Sequence, residues 1–141
     1  LMHLLEIGIA QAYDKLGQHQ RALDMVLKLL PEIKNDQLDC RIEALEIGIS
    51  SALYVDKVDT ANTFLAEALH LIRLNPGEVY GANRMNDLAM CYADTNHPEK
   101  SEQIFTASCN DRKAYGTLYD DAAIMLARFY NGTDQPHKSL S

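Results

Sequence analysis

Apolar positions along this chain recur every three or four residues and nowhere alternate one by one. That period lets an α-helix present one apolar face, so the whole chain reads as helical. Leu4, Leu5, Ile9, Ala12 and Tyr13 trace a first helix, ending near Lys15. Ala22, Val26, Leu29 and Leu30 trace a second, from Gln18 to about Leu30, with Pro31 ending or kinking it. A third runs from about Gln37 to Tyr54, with Asn35-Asp36 placed to cap it. The fourth carries Ala61, Leu65, Ala68, Leu69 and Ile72 to about Leu74, capped by Asp59 or a neighbour. Asn75-Pro76-Gly77-Glu78 resembles a capping box and opens a fifth helix that ends near Asp94. Pro98 opens a sixth, to about Ser108, and Cys109-Asn110-Asp111 link it to a seventh, from about Arg112 to Asn131. Gln135 onward begins an eighth.

The helices carry a repeated phrase. It reads Ile9-Ala10-Gln11-Ala12-Tyr13, Ile49-Ser50-Ser51-Ala52-Leu53, Leu88-Ala89-Met90-Cys91-Tyr92 and Leu126-Ala127-Arg128-Phe129-Tyr130. The copies start at 9, 49, 88 and 126, steps of 40, 39 and 38. A small residue follows each copy by eight or nine positions: Ala22, Ala61, Ser101 and Ser139. Between phrase and small residue lies a turn residue, Gly17, Asp56, Asn96 or Asp134, of the types that tolerate the left-handed backbone. Leu5-Glu6-Ile7-Gly8-Ile9 even recurs letter for letter as Leu45-Glu46-Ile47-Gly48-Ile49. A period of this size marks stacked helical hairpins. The residues set aside for hairpin packing are Ile9, Ala10, Tyr13, Gly17, Ala22, Ile49, Ser50, Leu53, Ala61, Leu88, Ala89, Tyr92, Ser101, Phe105, Leu126, Ala127 and Tyr130.

On these residues the chain resembles the tetratricopeptide repeat (TPR) family, in a long-period variant of about 40 residues where the usual period is about 34. The second repeat departs most, with Leu53 for the aromatic, Asp56 for the glycine and a turn one residue shorter, and the family's tryptophan is absent. The resemblance implies an all-α fold, an α-solenoid of antiparallel helix pairs forming a TPR-like superhelix of about 3.5 repeats. The expected organisation is one domain of repeats 1–34, 35–74, 75–110 and 111–141, the last truncated, belonging to a longer protein. It also implies a concave groove lined by first helices. Its positions are Gln11, Asp14 and Lys15, then Ser51 and Tyr54, then Asn83, Asn86, Asp87 and Met90, then Arg128 and Asn131, with Ile7, Ile47, Val55, Asp94, Asp121 and Ile124 beside them. Members that grip a C-terminal carboxylate line this groove with lysines and an asparagine. Here Ile7 and Gln11 stand at the first of those places, so that subtype is excluded.

Composition narrows the chemistry. Net charge is −7, from 20 acids against 13 bases, which argues against nucleic acid and against an anionic membrane surface. Three cysteines, Cys40, Cys91 and Cys109, build no disulfide framework and point to a reducing, cytoplasmic setting. The histidines His3, His19, His70, His97 and His137 share no metal spacing, so no metal and no cofactor are expected. His97 and His137 fall in turns, where exposure is expected. Glu43/Glu46 and Asp120-Asp121 fit solvated helix faces better than acid–base pairs, and there is no glycine-rich phosphate loop, so no enzyme is expected.

The expected function is therefore a non-enzymatic protein–protein interaction module, binding a neutral or basic peptide or partner segment in the groove, with self-association through a terminal apolar face. The alternative is a regulatory domain of a signalling or transcription-regulating protein that senses a ligand or signal peptide. Flanking sequence separates the two: a DNA-binding or NTPase motif favours the regulator, further repeats the scaffold.

Overall fold

The computed structural model describes residues 2–34, 37–74 and 81–112. These hold α1 (Met2–Lys15), α2 (His19–Leu29), a 3₁₀ turn η1 (Leu30–Glu32), α3 (Leu38–Tyr54), α4 (Val58–Arg73), α5 (Gly81–Asp94) and α6 (Pro98–Arg112), and no strand among them. The protein is thus all-α. It divides into two compact units, Leu1–Leu74 and Asn75–Ser141, at the boundary between the second and third repeats. The capping-box phrase at 75–78, the seventh and eighth helices, and the packing residues Leu126, Ala127 and Tyr130 lie outside the described residues.

The three described hairpins turn in one way. Gly17, Asp56 and Asn96 have φ of 85°, 62° and 66°, the left-handed conformation expected of them. The amide after each reaches back five residues: Gln18 to the Tyr13 carbonyl, Lys57 to Ala52 and His97 to Tyr92, each at 2.8 Å. The turn residue's own amide bonds three residues back, to Asp14, Leu53 and Ala93. This pair of bonds is the Schellman motif, which satisfies carbonyls that a helix end would otherwise leave open. In the second repeat the motif sits one residue earlier in the phrase, as the shorter turn requires.

Helix ends differ from expectation at α3, α4 and α6, while α2 ends beside Pro31 as expected. α4 is preceded by Lys57, without a side-chain cap, and Asp59 lies in the first turn, where its charge favours the positive helix end. Gln37, not Asn35 or Asp36, holds the position before α3, and residues 35–36 lie outside the described residues. α2 stops at Leu29 because Pro31 lacks the amide an α-turn needs, and the chain tightens to 3₁₀. α6 continues through Cys109 and Asn110 to Arg112, where a linker was expected. With no Gly or Pro in that stretch, helix disfavour amounts only to about 0.7 kcal/mol per residue and tertiary packing overrides it.

In the N-terminal unit α1 packs on α2, α3 packs on both, and α4 packs on α3. In the C-terminal unit α5 packs on α6. The small residues sit where helices cross: Ala10, Ala22, Ala61, Ala89 and Ser101 are fully buried. Ser101 Oγ donates to the Ala89 carbonyl at 2.6 Å, so the two small positions of that hairpin face each other at backbone distance. Ile49, Leu53, Leu88, Tyr92 and Phe105 fill the space beside them. Arg41 closes the N-terminal unit's connector. Its Nη1 donates to the Leu30 and Ile33 carbonyls, at 2.9 and 3.2 Å, while Nε and Nη2 grip both carboxylate oxygens of Glu67 on α4.

One expectation about α1 is overturned. Leu4, Leu5, Ile9 and Ala12 were expected inward, but all four are exposed, and the buried face is Ile7 and Ala10. The repeated pentapeptide shows why. Leu5 is 68% exposed and Leu45 1%; Ile9 is 41% exposed and Ile49 0%. α3 packs against α1, α2 and α4, while among the described residues α1 packs only against α2 and α3. The same letters are core in one helix and surface in the other because, among the described residues, no helix of the unit stacks on the outer side of α1.

The two glycines of that pentapeptide give a paired test. A Cβ at Gly48 would lie 2.8 Å from the Phe64 ring and 2.9 Å from Val26 Cγ1, whereas at Gly8 it meets nothing within 4 Å. Gly8→Ala should therefore stabilise by about 0.5–1 kcal/mol through helix propensity. Gly48→Ala should destabilise by about 1 kcal/mol or more through overpacking. Urea denaturation of both variants reads the sign; equal signs would refute the packing difference. At the turns, Asp56→Gly removes a Cβ from a left-handed position and should raise stability by about 0.5–1 kcal/mol, measured in the same way.

Candidate functional site

The densest described polar constellation joins α1, α2 and α3. Asp14, in the last turn of α1, lies five residues before His19, which opens α2 across the Schellman turn. His19 Nδ1 is 2.6 Å from Asp14 Oδ1, and the carboxylate selects the tautomer in which Nδ1 carries the proton and donates. Ser50 Oγ, from α3, donates to Asp14 Oδ2 at 2.8 Å. Tyr54, one turn beyond Ser50, stacks on the His19 ring at 4.3 Å between centroids and 11° between planes. Tyr54 is half exposed, and Gln11 and Lys15 are exposed on α1. Arg21 lies 5.0 Å over the Tyr13 ring on the same hairpin.

Aspartate, histidine and serine invite comparison with a nucleophilic relay, but the connectivity is wrong for one. A relay needs the imidazole between carboxylate and hydroxyl, so that it takes the hydroxyl proton. Here the carboxylate is in the middle and both partners donate to it, so the imidazole is not placed to take the Ser50 proton. The arrangement is a three-helix junction with an aromatic lid. The other chemistry-bearing groups give no better start. Burial pushes the Cys109 thiol up, away from the thiolate a nucleophile requires. Burial, then neighbouring Cys91, raises the Tyr92 phenol well above its ordinary value. Burial raises the Asp87 carboxyl while Arg84 works against it. A shallow depression bounded by Glu99, Glu102, Gln103, Thr106, Ala107 and Asn110 is lined, among the described residues, by one face of α6.

The groove residues expected from sequence divide. Asp14 and Tyr54 are brought together through His19, and Gln11, Lys15, Asp87 and Met90 are on the surface. Ser51 is fully buried and bonds back to the Ile47 carbonyl at 2.8 Å, so it offers nothing to a ligand. Ile7 and Ile47 are likewise buried. Asn86 is 2% exposed and its Oδ1 accepts no hydrogen bond. The Asn83 side chain, Arg128 and Asn131 lie outside the described residues. Ser51 is buried because α3 is covered on several sides, which leaves little of its surface for a groove. His97, expected to be exposed in its turn, is half-buried, edge-on to Tyr92 at 6.1 Å. Sequence reasoning missed His19; its only signal was a place directly after a helix-turn residue pair, five positions from an acid.

Comparison with known proteins finds no family model, no curated protein and no solved structure that matches the chain. No described helix is long and apolar enough to cross a membrane.

If Asp14 holds three helices together, removing it strands two donors. Asp14→Ala should cost about 1–3 kcal/mol and Ser50→Ala about 1 kcal/mol, with the double variant well short of their sum. Chemical denaturation of the three variants checks this; additive losses would mean the two groups act separately.

Proposed function

We propose that this chain is a TPR-like helical-repeat module that acts through protein–protein contact and has no catalytic role. Three things support the reading: the hairpin turns repeat in geometry, the second hairpin's leading helix packs on both helices of the first, and small residues occupy the crossings. The observation that carries it is the outer face of α1. Leu5, Ile9, Ala12 and Leu16 follow one another at spacings of four, three and four residues along one exposed stripe, with Leu4 alongside. On α3 the same five letters are covered by packing helices, and Val26 of α2 meets Gly48 among them. An uncovered copy of a face that the chain itself covers elsewhere is a surface built for another helix. Exposed leucines gain roughly 1.5–3 kcal/mol each on full burial. The partner is a protein or peptide segment, neutral or basic given the net charge of −7, with Tyr54, Lys15 and Gln11 offering the polar contacts beside the His19 junction.

The same face favours self-association at high concentration. Sedimentation velocity of the wild type should show concentration-dependent association, and Leu5→Asp with Ile9→Asp should remain monomeric with an unchanged helical spectrum. A wild type that stays monomeric at high micromolar concentration would remove the face as a contact surface.

A further inference from the structure

A second polar cluster lies at the opposite end of the α1–α2 hairpin from the turn. His3 and Glu6 stand three residues apart on α1, and so on one side of the helix. Glu32 lies on η1, directly after α2, which antiparallel packing returns to the start of α1. One ring nitrogen of His3 and one carboxylate oxygen from each glutamate lie within 4.8 Å of one another. His3 Nδ1 is shielded from solvent and has no hydrogen-bond partner. A histidine with an unmet buried nitrogen beside two carboxylates is an incomplete arrangement: two carboxylates crowd one ring, and among the described residues no ion pair engages either of them.

We propose that His3, Glu6 and Glu32 bind a divalent transition-metal ion, with Zn²⁺ the best fit. One imidazole nitrogen and two carboxylate oxygens are a zinc-type donor set. Mg²⁺ and Ca²⁺ prefer oxygen alone, and soft ions prefer thiolate, which this cluster lacks. Zinc–ligand bonds of about 2.0–2.2 Å bring tetrahedral donors to about 3.4 Å apart, so no pair of the three groups must close by more than about 1.4 Å. Side-chain torsions of the glutamates supply that movement, since Glu32 is exposed and Glu6 half-buried. The backbone beneath Glu32 is already held, because Arg41 bonds the carbonyls of Leu30 and Ile33 on either side of it. Three protein ligands leave a fourth position for water. The bound ion ties the first turn of α1 to η1, so the hairpin is fastened at both ends. It also sets the position of Leu4 and Leu5, which stand beside the ligands on α1.

The test is zinc titration of the full chain without an affinity tag, by calorimetry and by thermal melting, with Mg²⁺ as the control. Zinc should bind with one-to-one stoichiometry and raise the melting temperature, and Mg²⁺ at the same concentration should do neither. Glu32→Gln, a shape-preserving change at an exposed position, should weaken zinc binding by about tenfold or more, and His3→Ala should abolish the thermal shift. Co²⁺ in place of zinc should give a spectrum without a thiolate charge-transfer band, which separates this site from Cys40, Cys91 and Cys109. The proposal is overturned if zinc produces no heat and no thermal shift, if Glu32→Gln binds as tightly as wild type, or if the thiolate band appears.

Discussion

The N-terminal unit depends on burying a helix that is apolar around most of its circumference. α3 carries the buried residues Ile42, Ala44, Leu45, Ile47, Gly48, Ile49, Ser51, Ala52 and Leu53, and beyond its first turn only the stripe Glu43, Glu46, Ser50 and Tyr54 is left unburied. A helix with so wide an apolar surface is stable only when several neighbours cover it. That requirement packs α1, α2 and α4 on α3. Gly48 is the tightest point of the arrangement, with Val26 and Phe64 converging where a side chain would start. The small residues elsewhere in the hairpins serve the same end, since backbones in close approach cover more of each other than backbones held apart by large side chains.

Much of this was legible in the sequence because it is local. Gly17, Asp56 and Asn96 announce their backbone conformation through residue type, and the three turns follow with matching hydrogen bonds. The small-residue positions and the hairpin period were legible for a similar reason: they recur in phase, and a recurring pattern needs no knowledge of what lies across it. The exposure of Leu5 and Ile9 was not legible. Their letters equal those of Leu45 and Ile49, so no property of the letters distinguishes the two copies. Burial there is decided by how many helices stack on each side, which is a property of place in the array.

The candidate site was partly legible, and its missing parts share one character. Asp14 and Tyr54 could be placed on leading helices by counting from the small residue. His19 could not, since its role comes from a stacking contact with Tyr54, 35 positions away in the chain. Arg41 left no signal either. A lone arginine in the first turn of a helix reads as a solvated charge, yet this one satisfies two connector carbonyls and grips Glu67, 26 residues on. Long-range polar contacts lack a period, so a reading based on periods passes over them. The linker expected at 109–111 failed for the complementary reason: residue preference there was weak, and helix continuation decided the outcome.

Apolar packing alone would leave α3 free to slide. Leucine, isoleucine and alanine faces tolerate small translations and rotations with little change in buried area. Two directional contacts remove that freedom. Near its start, Arg41 fastens α3 to the connector after α2 and, through Glu67, to α4. Near its end, Ser50 fastens it to Asp14 on α1, which in turn holds His19 on α2. Nine residues separate the two points, about 13 Å along the axis. Hydrogen bonds weaken steeply outside a narrow range of distance and angle, so two of them that far apart oppose both sliding and tilting. All of these groups except Glu67 are largely shielded from solvent, with side chains 14–23% exposed for Asp14, His19 and Arg41, so their attraction is screened less than that of a surface pair. Apolar burial supplies the attraction between the helices, and these two junctions choose the register in which it acts. That register determines which side of α1 faces α3 and which side, with Leu5 and Ile9, is left outward.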